Sequence, residues 1–146
     1  SHYKIPARAM DSIEAAVSGA DLVLTATNSG KALIEAAWIA PGAVVATLDT
    51  AEPGRDYAEQ ADLFVVDSRE QLQKELLELF GEEGPGWVDA TVAEVVGGKH
   101  PGRTDPKQRA LIVTQGMASQ DIALAHLAYV RAVERKLGLV MPAGGA

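Results

Sequence analysis

Small polar residues cluster where three apolar runs end: Thr25-Ala26-Thr27-Asn28-Ser29, Leu48-Asp49-Thr50 and Asp67-Ser68. Hydroxyls, carboxylates and an amide grouped in turns can hydrogen-bond a small polar ligand. The runs that precede them span 21–27, 42–48 and 62–67. Each is short, rich in branched aliphatics and without polar alternation. That pattern predicts strands side by side in a parallel sheet, covered on both faces. In an open parallel sheet, ligands bind beyond the carboxyl ends of the strands. The expectation is a dinucleotide-type α/β domain whose three strand ends gather around one small molecule.

The other elements must carry those ends. Lys4 to Met10 reads as a short strand weakened by Pro6, which has no N–H to donate. Asp11-Ser12-Ile13-Glu14 has the form of a helix start with Asp11 as its cap. Gly30 to Ala40 reads as a helix turning Leu33, Ile34, Ala37 and Trp38 inward, ended by Pro41-Gly42. Thr50 to Gln60, with Pro53-Gly54, reads as a polar loop. Ser68-Arg69-Glu70-Gln71 opens another helix, with Leu72, Leu76, Leu79 and Phe80 at helical spacing. A short helix or turn is expected over Thr91 to Val96, then a Gly/Pro loop over Lys99 to Lys107. Ala110 to Thr114 reads as a fourth buried strand, and Gln115-Gly116 turns the chain into its longest helix, 118–137. The inward stripe of that helix reads as Ile122, His126, Tyr129, Val130, Val133 and Leu137.

Composition narrows the class. The chain has 146 residues, of which 47% are apolar and 23% charged, and its net charge is −7. That is enough for one domain with a core. No basic cluster is long enough to follow a phosphate backbone, so nucleic acid is not an expected partner. No run approaches the roughly 20 apolar residues that span a bilayer, so no membrane partner is expected either. There is no cysteine, which removes thiolate metal sites and thiol nucleophiles and fits a cytoplasmic protein. His2, His100 and His126 form no metal-ligand spacing. His126 reads as a packed core or interface histidine, and Asp121 as a partner for the helix dipole.

A complete dinucleotide-binding half also carries a Gly-rich turn between strand and helix, with an acidic residue about 20 positions on. Gly81-Glu82-Glu83-Gly84-Pro85-Gly86 has the glycines, but its two acids and its proline spoil an anion cradle. The chain, which opens on Ser1-His2 without Met, therefore reads as a fragment beginning after the first βαβ unit.

The ordered motifs 19–29, Pro41-Gly42-Ala43-Val44-Val45, 61–68, Ala93-Glu94-Val95-Val96-Gly97-Gly98-Lys99, Gly102-Arg103-Thr104 and 115–125 resemble the second half of the nucleotide-binding domain of the ornithine cyclodeaminase/mu-crystallin family. The resemblance implies an α/β fold: a partial Rossmann-type parallel sheet flanked by helices, with a long C-terminal helix. Residues 1–116 would be an incomplete NAD(P)-binding domain. Residues 117–146 would be a helix and tail returning toward a missing substrate and dimerisation domain, the full-length protein being a homodimer.

The implied chemistry is NAD- or NADP-dependent hydride transfer between nicotinamide and the α-carbon of an amino acid or a cyclic imine, as in amino-acid dehydrogenases, imine reductases and cyclodeaminases. In such chemistry the cofactor reacts and the protein positions it. Carried over by position, Thr25, Ala26, Thr27, Asn28 and Ser29 line the cofactor, with Leu48 and Thr50 at the next strand end. Thr114, Gln115 and Gly116 form the turn approaching nicotinamide and substrate. The family's catalytic aspartate falls on Ala51, which leaves Asp49 and Glu52 as candidate catalytic carboxylates. The substrate-binding arginine and lysine of the family belong to the absent half, so this fragment alone is expected to be inactive. Two other readings stay open: a non-catalytic mu-crystallin-type protein that binds NADP and a small ligand, and a folding module with no retained site.

Overall fold

The computed structural model describes residues 5–139 and residue 141. The chain divides into two compact units, with the boundary between Gln115 and Gly116. The first holds α1 (Ile13–Val17), β1 (Leu22–Thr25), β2 (Val44–Thr47), α2 (Gly54–Gln60), β3 (Leu63–Val66), α3 (Arg69–Phe80), β4 (Ala90–Thr91), α4 (Val92–Val96) and β5 (Ala110–Val113), with 3-10 turns at Ala36–Trp38 and Gly84–Trp87. The second holds α5 (Ala118–Glu134).

The five strands form one sheet in the order β1-β2-β5-β3-β4, and every pairing is parallel. The expected parallel arrangement of the three runs is present, but only the first two are adjacent. β5 inserts between β2 and β3, so Thr47 lies beside Thr25 on one side and Val113 on the other. Covering on both faces also varies along the sheet. All four β3 residues are buried, whereas Leu22 and Leu24 of β1 are 63% and 67% exposed. A continuous apolar run therefore did not distinguish an interior strand, β3, from the edge strand β1.

The main core joins Val23, Val45, Tyr57, Phe64, Leu72, Leu76, Phe80, Leu111 and Val113. A smaller cluster, Leu63, Val65, Ala90 and Ala110, lies apart from it. Helix α3 follows its sequence pattern: the Ser68 hydroxyl accepts the Gln71 amide, and Leu72, Leu76 and Phe80 are buried, while Leu79 stays 44% exposed. Helix α1 is capped by Ser12, whose hydroxyl accepts the Ala15 amide, rather than by Asp11. In α4 the Thr91 hydroxyl accepts the Glu94 amide and the Glu94 carboxylate accepts the Thr91 amide. That box holds the Glu94 carboxyl below its usual range, first through the Thr91 amide and then through the Thr91 hydroxyl.

Four sequence expectations are corrected. Residues 30–40 form no helix beyond the Ala36–Trp38 turn. The Leu33 and Ile34 amides donate to the Glu52 carbonyl at 2.8 and 3.3 Å, and the Ala36 amide donates to Asp56 Oδ2 at 2.8 Å. Donors that a helix would use internally are drawn across to the segment after β2. Conversely, residues 54–60 are not a loop but α2, with Tyr57 and Ala58 buried. Residues 5–10 form no strand, and Lys4 lies outside the described residues. Finally, α5 ends at Glu134. Its apolar stripe is not inward: Ile122, Tyr129, Val133 and Leu137 are 59–69% exposed, and His126 is exposed as well. Helical spacing identifies an apolar face, but a face is buried only when another surface covers it.

Candidate functional site

Parallel register places the three strand ends on one edge of the sheet. The ladder runs one step past the strands: the Leu48 amide donates to the Thr25 carbonyl at 3.2 Å, Thr114 to Thr47 at 3.0 Å, and Asp67 to Val113 at 3.2 Å. Thr25, Leu48, Thr114 and Asp67 therefore stand in sequence across neighbouring strand ends. Thr25 is buried, Ala26, Thr27 and Asn28 are exposed, and Ser29 is half-buried. Leu48 is 53% exposed beside them.

Glu52 organises the first end. Its side chain has no exposed surface. Oε2 accepts the Thr25 hydroxyl at 2.5 Å, and Oε1 accepts both the Thr27 hydroxyl at 2.5 Å and the Thr27 amide at 3.1 Å. The Thr27 hydroxyl in turn accepts the Ser29 amide at 3.1 Å. Burying a carboxyl is costly unless donors meet it, and here three converge.

Asp49 is different. Its Oδ1 accepts the Ala51 amide at 2.7 Å, closing a tight turn, and the residue is half-buried rather than sealed. Of the two carboxyls that sequence offered, Asp49 reaches solvent and Glu52 does not.

A third carboxylate, Glu75 on α3, reaches the same edge without any signal in its local sequence. Glu75 Oε2 accepts the Thr50 hydroxyl at 2.8 Å and Gln115 Nε2 at 2.5 Å. Gln115 Nε2 also donates to Thr50 Oγ1 at 3.0 Å. The ends after β2 and β5 are thereby locked together by a helix residue from outside either loop. In sequence Glu75 lies within an acid-rich helix face that reads simply as solvated, and only the packing of α3 selects it. Gly116 opens the second unit with φ +88°.

The Gly81–Gly86 stretch is no anion cradle. Gly84 packs so tightly that an added Cβ would stand 2.6 Å from Phe80 Cβ and 2.7 Å from the Leu76 carbonyl. Trp87 lies against the Phe80 ring, with centroids 5.7 Å apart, and the Arg55 guanidinium sits 5.1 Å over Trp87. Among the described residues no His/Cys/Asp/Glu group is arranged to hold a metal, and no helix is long and apolar enough to cross a membrane.

Comparison with known proteins places this edge in context. The sequence model of the Ornithine cyclodeaminase/mu-crystallin family matches residues 1–136. The chain is 28% identical over 138 residues to N-((2S)-2-amino-2-carboxyethyl)-L-glutamate dehydrogenase of Staphylococcus aureus, covering 91% of this chain and 41% of that protein. It is 32% identical over 130 residues to ketimine reductase mu-crystallin of Macropus fuliginosus, covering 84% of this chain and 39% of that protein. Its fold superimposes with a TM-score of 0.82 on Thermococcus litoralis Δ1-pyrroline-2-carboxylate reductase solved with NADH and L-proline, at 25% identity over 90% of this chain and 44% of that one. The chain thus spans about 40% of the length of the curated relatives it matches. With the family match running over nearly its whole length, this chain belongs to the ornithine cyclodeaminase/mu-crystallin family.

Proposed function

We propose that this chain is the cofactor-lining part of an NAD(P)-dependent enzyme that transfers hydride between nicotinamide and an amino-acid α-carbon or a cyclic imine. One observation carries the reading: Thr25, Leu48 and Thr114 stand side by side at the carboxyl edge of a parallel sheet, where ligands of such sheets bind. Small exposed residues, Ala26, Thr27 and Asn28, border that edge and leave room for a ring or ribose. A relative of the same fold was solved with NADH and L-proline.

The residues present suit part of a dinucleotide. Thr25 to Ser29, Leu48, Thr50 and Thr114 to Gly116 line it, and the pyrophosphate is held by segments other than those described. When bound, the nicotinamide gives or takes the hydride. The chain's own work is to orient and to handle protons. Asp49 Oδ1 is engaged by the Ala51 amide, and Oδ2 has no partner among the described residues. That oxygen accepts a proton from the amine or from water at the imine carbon. The reading further assigns the full-length protein to amino-acid metabolism in the cytoplasm, as a homodimer, with oxidoreductase or lyase outcome set by the substrate half.

The test uses full-length protein: NAD(P)H titration followed by quenching of Trp38 and Trp87, then an amino-acid and imine panel. Saturable quenching with turnover is expected, and absence of binding overturns the reading. A second reading is favoured by Ala51, which stands where the family aspartate aligns: a non-catalytic protein of mu-crystallin type. Tight cofactor binding without turnover on any panel member selects it.

A further inference from the structure

We infer that Glu52 is a positioning residue for the cofactor edge, acting through Thr25 and Thr27 and never touching substrate; this rests on the cofactor reading above. Glu52 has no exposed surface, so no reacting atom can reach its carboxyl. An acid or base must stand within hydrogen-bond reach of the proton it moves.

What the residue does reach is the turn after β1. Its carboxyl takes the Thr25 hydroxyl, the Thr27 hydroxyl and the Thr27 amide. Its carbonyl takes the Leu33 and Ile34 amides. One residue, standing between β2 and α2, therefore ties both the outgoing turn and the segment that returns from it.

The chemistry of the side chain matters. An apolar residue would fill the same space without the cost of burying a carboxyl. The two carboxyl oxygens hold two threonines at once, 25 and 27, in a fixed relation. With its amide and hydroxyl both turned to Glu52, Thr27 offers a ligand neither donor. The ligand is met instead by the neighbouring Ala26 and Asn28, both exposed. Glu52 thus decides which groups of the turn face the cofactor.

The experiment is a set of full-length variants, Glu52→Gln, Glu52→Ala and Thr27→Val, measured by NAD(P)H binding, by KM and kcat against pH, and by amide hydrogen exchange at Thr27. Glu52→Ala is expected to weaken cofactor binding at least about tenfold, the equivalent of one or two lost hydrogen bonds. Glu52→Gln recovers most of it, because its remaining oxygen still takes both Thr27 donors. Thr27→Val falls between. The pH profile of kcat keeps its shape in all three, and the Thr27 amide exchanges faster in Glu52→Ala.

If Glu52→Gln is as damaging as Glu52→Ala and an ionisation vanishes from the kcat profile, Glu52 is an acid or base and the inference falls. Folded Glu52→Ala with unchanged cofactor affinity makes it a packing residue, which also overturns the inference. Should Glu52→Ala not fold, the graded losses in Glu52→Gln and Thr27→Val decide. If the wild-type protein binds no NAD(P)H, the cofactor reading fails by itself. Thr27 exchange then still reports whether the tie exists, and unchanged exchange in Glu52→Gln and Glu52→Ala refutes it.

Discussion

Glu52 and Thr27 are bound twice: one carboxyl oxygen takes both the amide, at 3.1 Å, and the hydroxyl, at 2.5 Å, of the same residue. The pairing joins the end of β1 to the turn after β2 across 25 residues of sequence. It divides the labour between two nearby carboxyls. Glu52 is sealed, while Asp49 is half-buried and its Oδ2 has no partner among the described residues.

Asp49→Asn in the full-length protein is therefore expected to lower turnover by about 10²–10⁴-fold, the usual worth of a positioned acid or base. Cofactor affinity should stay within a few fold, because the amide oxygen can still accept the Ala51 amide. Steady-state kinetics beside a binding titration separate the two quantities. Unchanged turnover removes Asp49 from the mechanism.

Glu75→Ala leaves the Thr50 hydroxyl and the Gln115 amide without their shared acceptor. Loss of those bonds at a half-buried position is expected to lower stability by about 1 kcal/mol. Cofactor binding should weaken more than that loss would suggest, since the ends after β2 and β5 are then tied only by the 3.0 Å Gln115–Thr50 bond. Urea denaturation and NAD(P)H titration measure the two effects. An equal result for Glu75→Gln and Glu75→Ala argues that the acceptor is dispensable.

Gly42 tests the backbone. Its φ is +85°, and an added Cβ would lie 2.4 Å from the Pro106 carbonyl oxygen, whereas Gly116, at φ +88°, has nothing within 4 Å of such an atom. Both alanine variants carry the strain of positive φ, about 1–2 kcal/mol. Gly42→Ala adds a backbone clash that the Gly42–Lys107 hydrogen bond, 2.8 Å, resists relieving. Gly42→Ala should be the more destabilising of the two in chemical denaturation, and equal losses would contradict the geometry.

Alkaline pH tests the core. Tyr57 has no exposed surface and its hydroxyl donates to the Ala110 carbonyl at 3.3 Å. Burial pushes its pKa up to about 12, while the nearby Arg109 charge pulls the other way. The folded state thus favours the neutral phenol. Its contribution is fully present below the unfolded pKa near 10 and is lost as pH rises toward 12. That loss is on the order of 2–3 kcal/mol at most. Denaturation midpoints between pH 9 and 12 should fall more steeply for the wild type than for Tyr57→Phe.

Local sequence carried much of this architecture. The branched aliphatic runs 21–27, 42–48 and 62–67 announced strands, because a pleated, covered position suits such side chains. Ser68 announced a helix start, because its cap lies within a few residues of the donor it satisfies. The family motifs, read in order, implied the parallel sheet that the structure shows. What the sequence could not decide were relationships that depend on distant partners. Leu33, Ile34 and Ala36 look helical until their amides find Glu52 and Asp56, far along the chain. β5 was legible as a strand but not as the one lying between β2 and β3. Glu75 looked like one more solvated acid until α3 packed and aimed it at Thr50 and Gln115. The composition of each segment is a local property, and the chain sets it. Which donor meets which acceptor is decided only when the sheet brings segments together that lie dozens of residues apart.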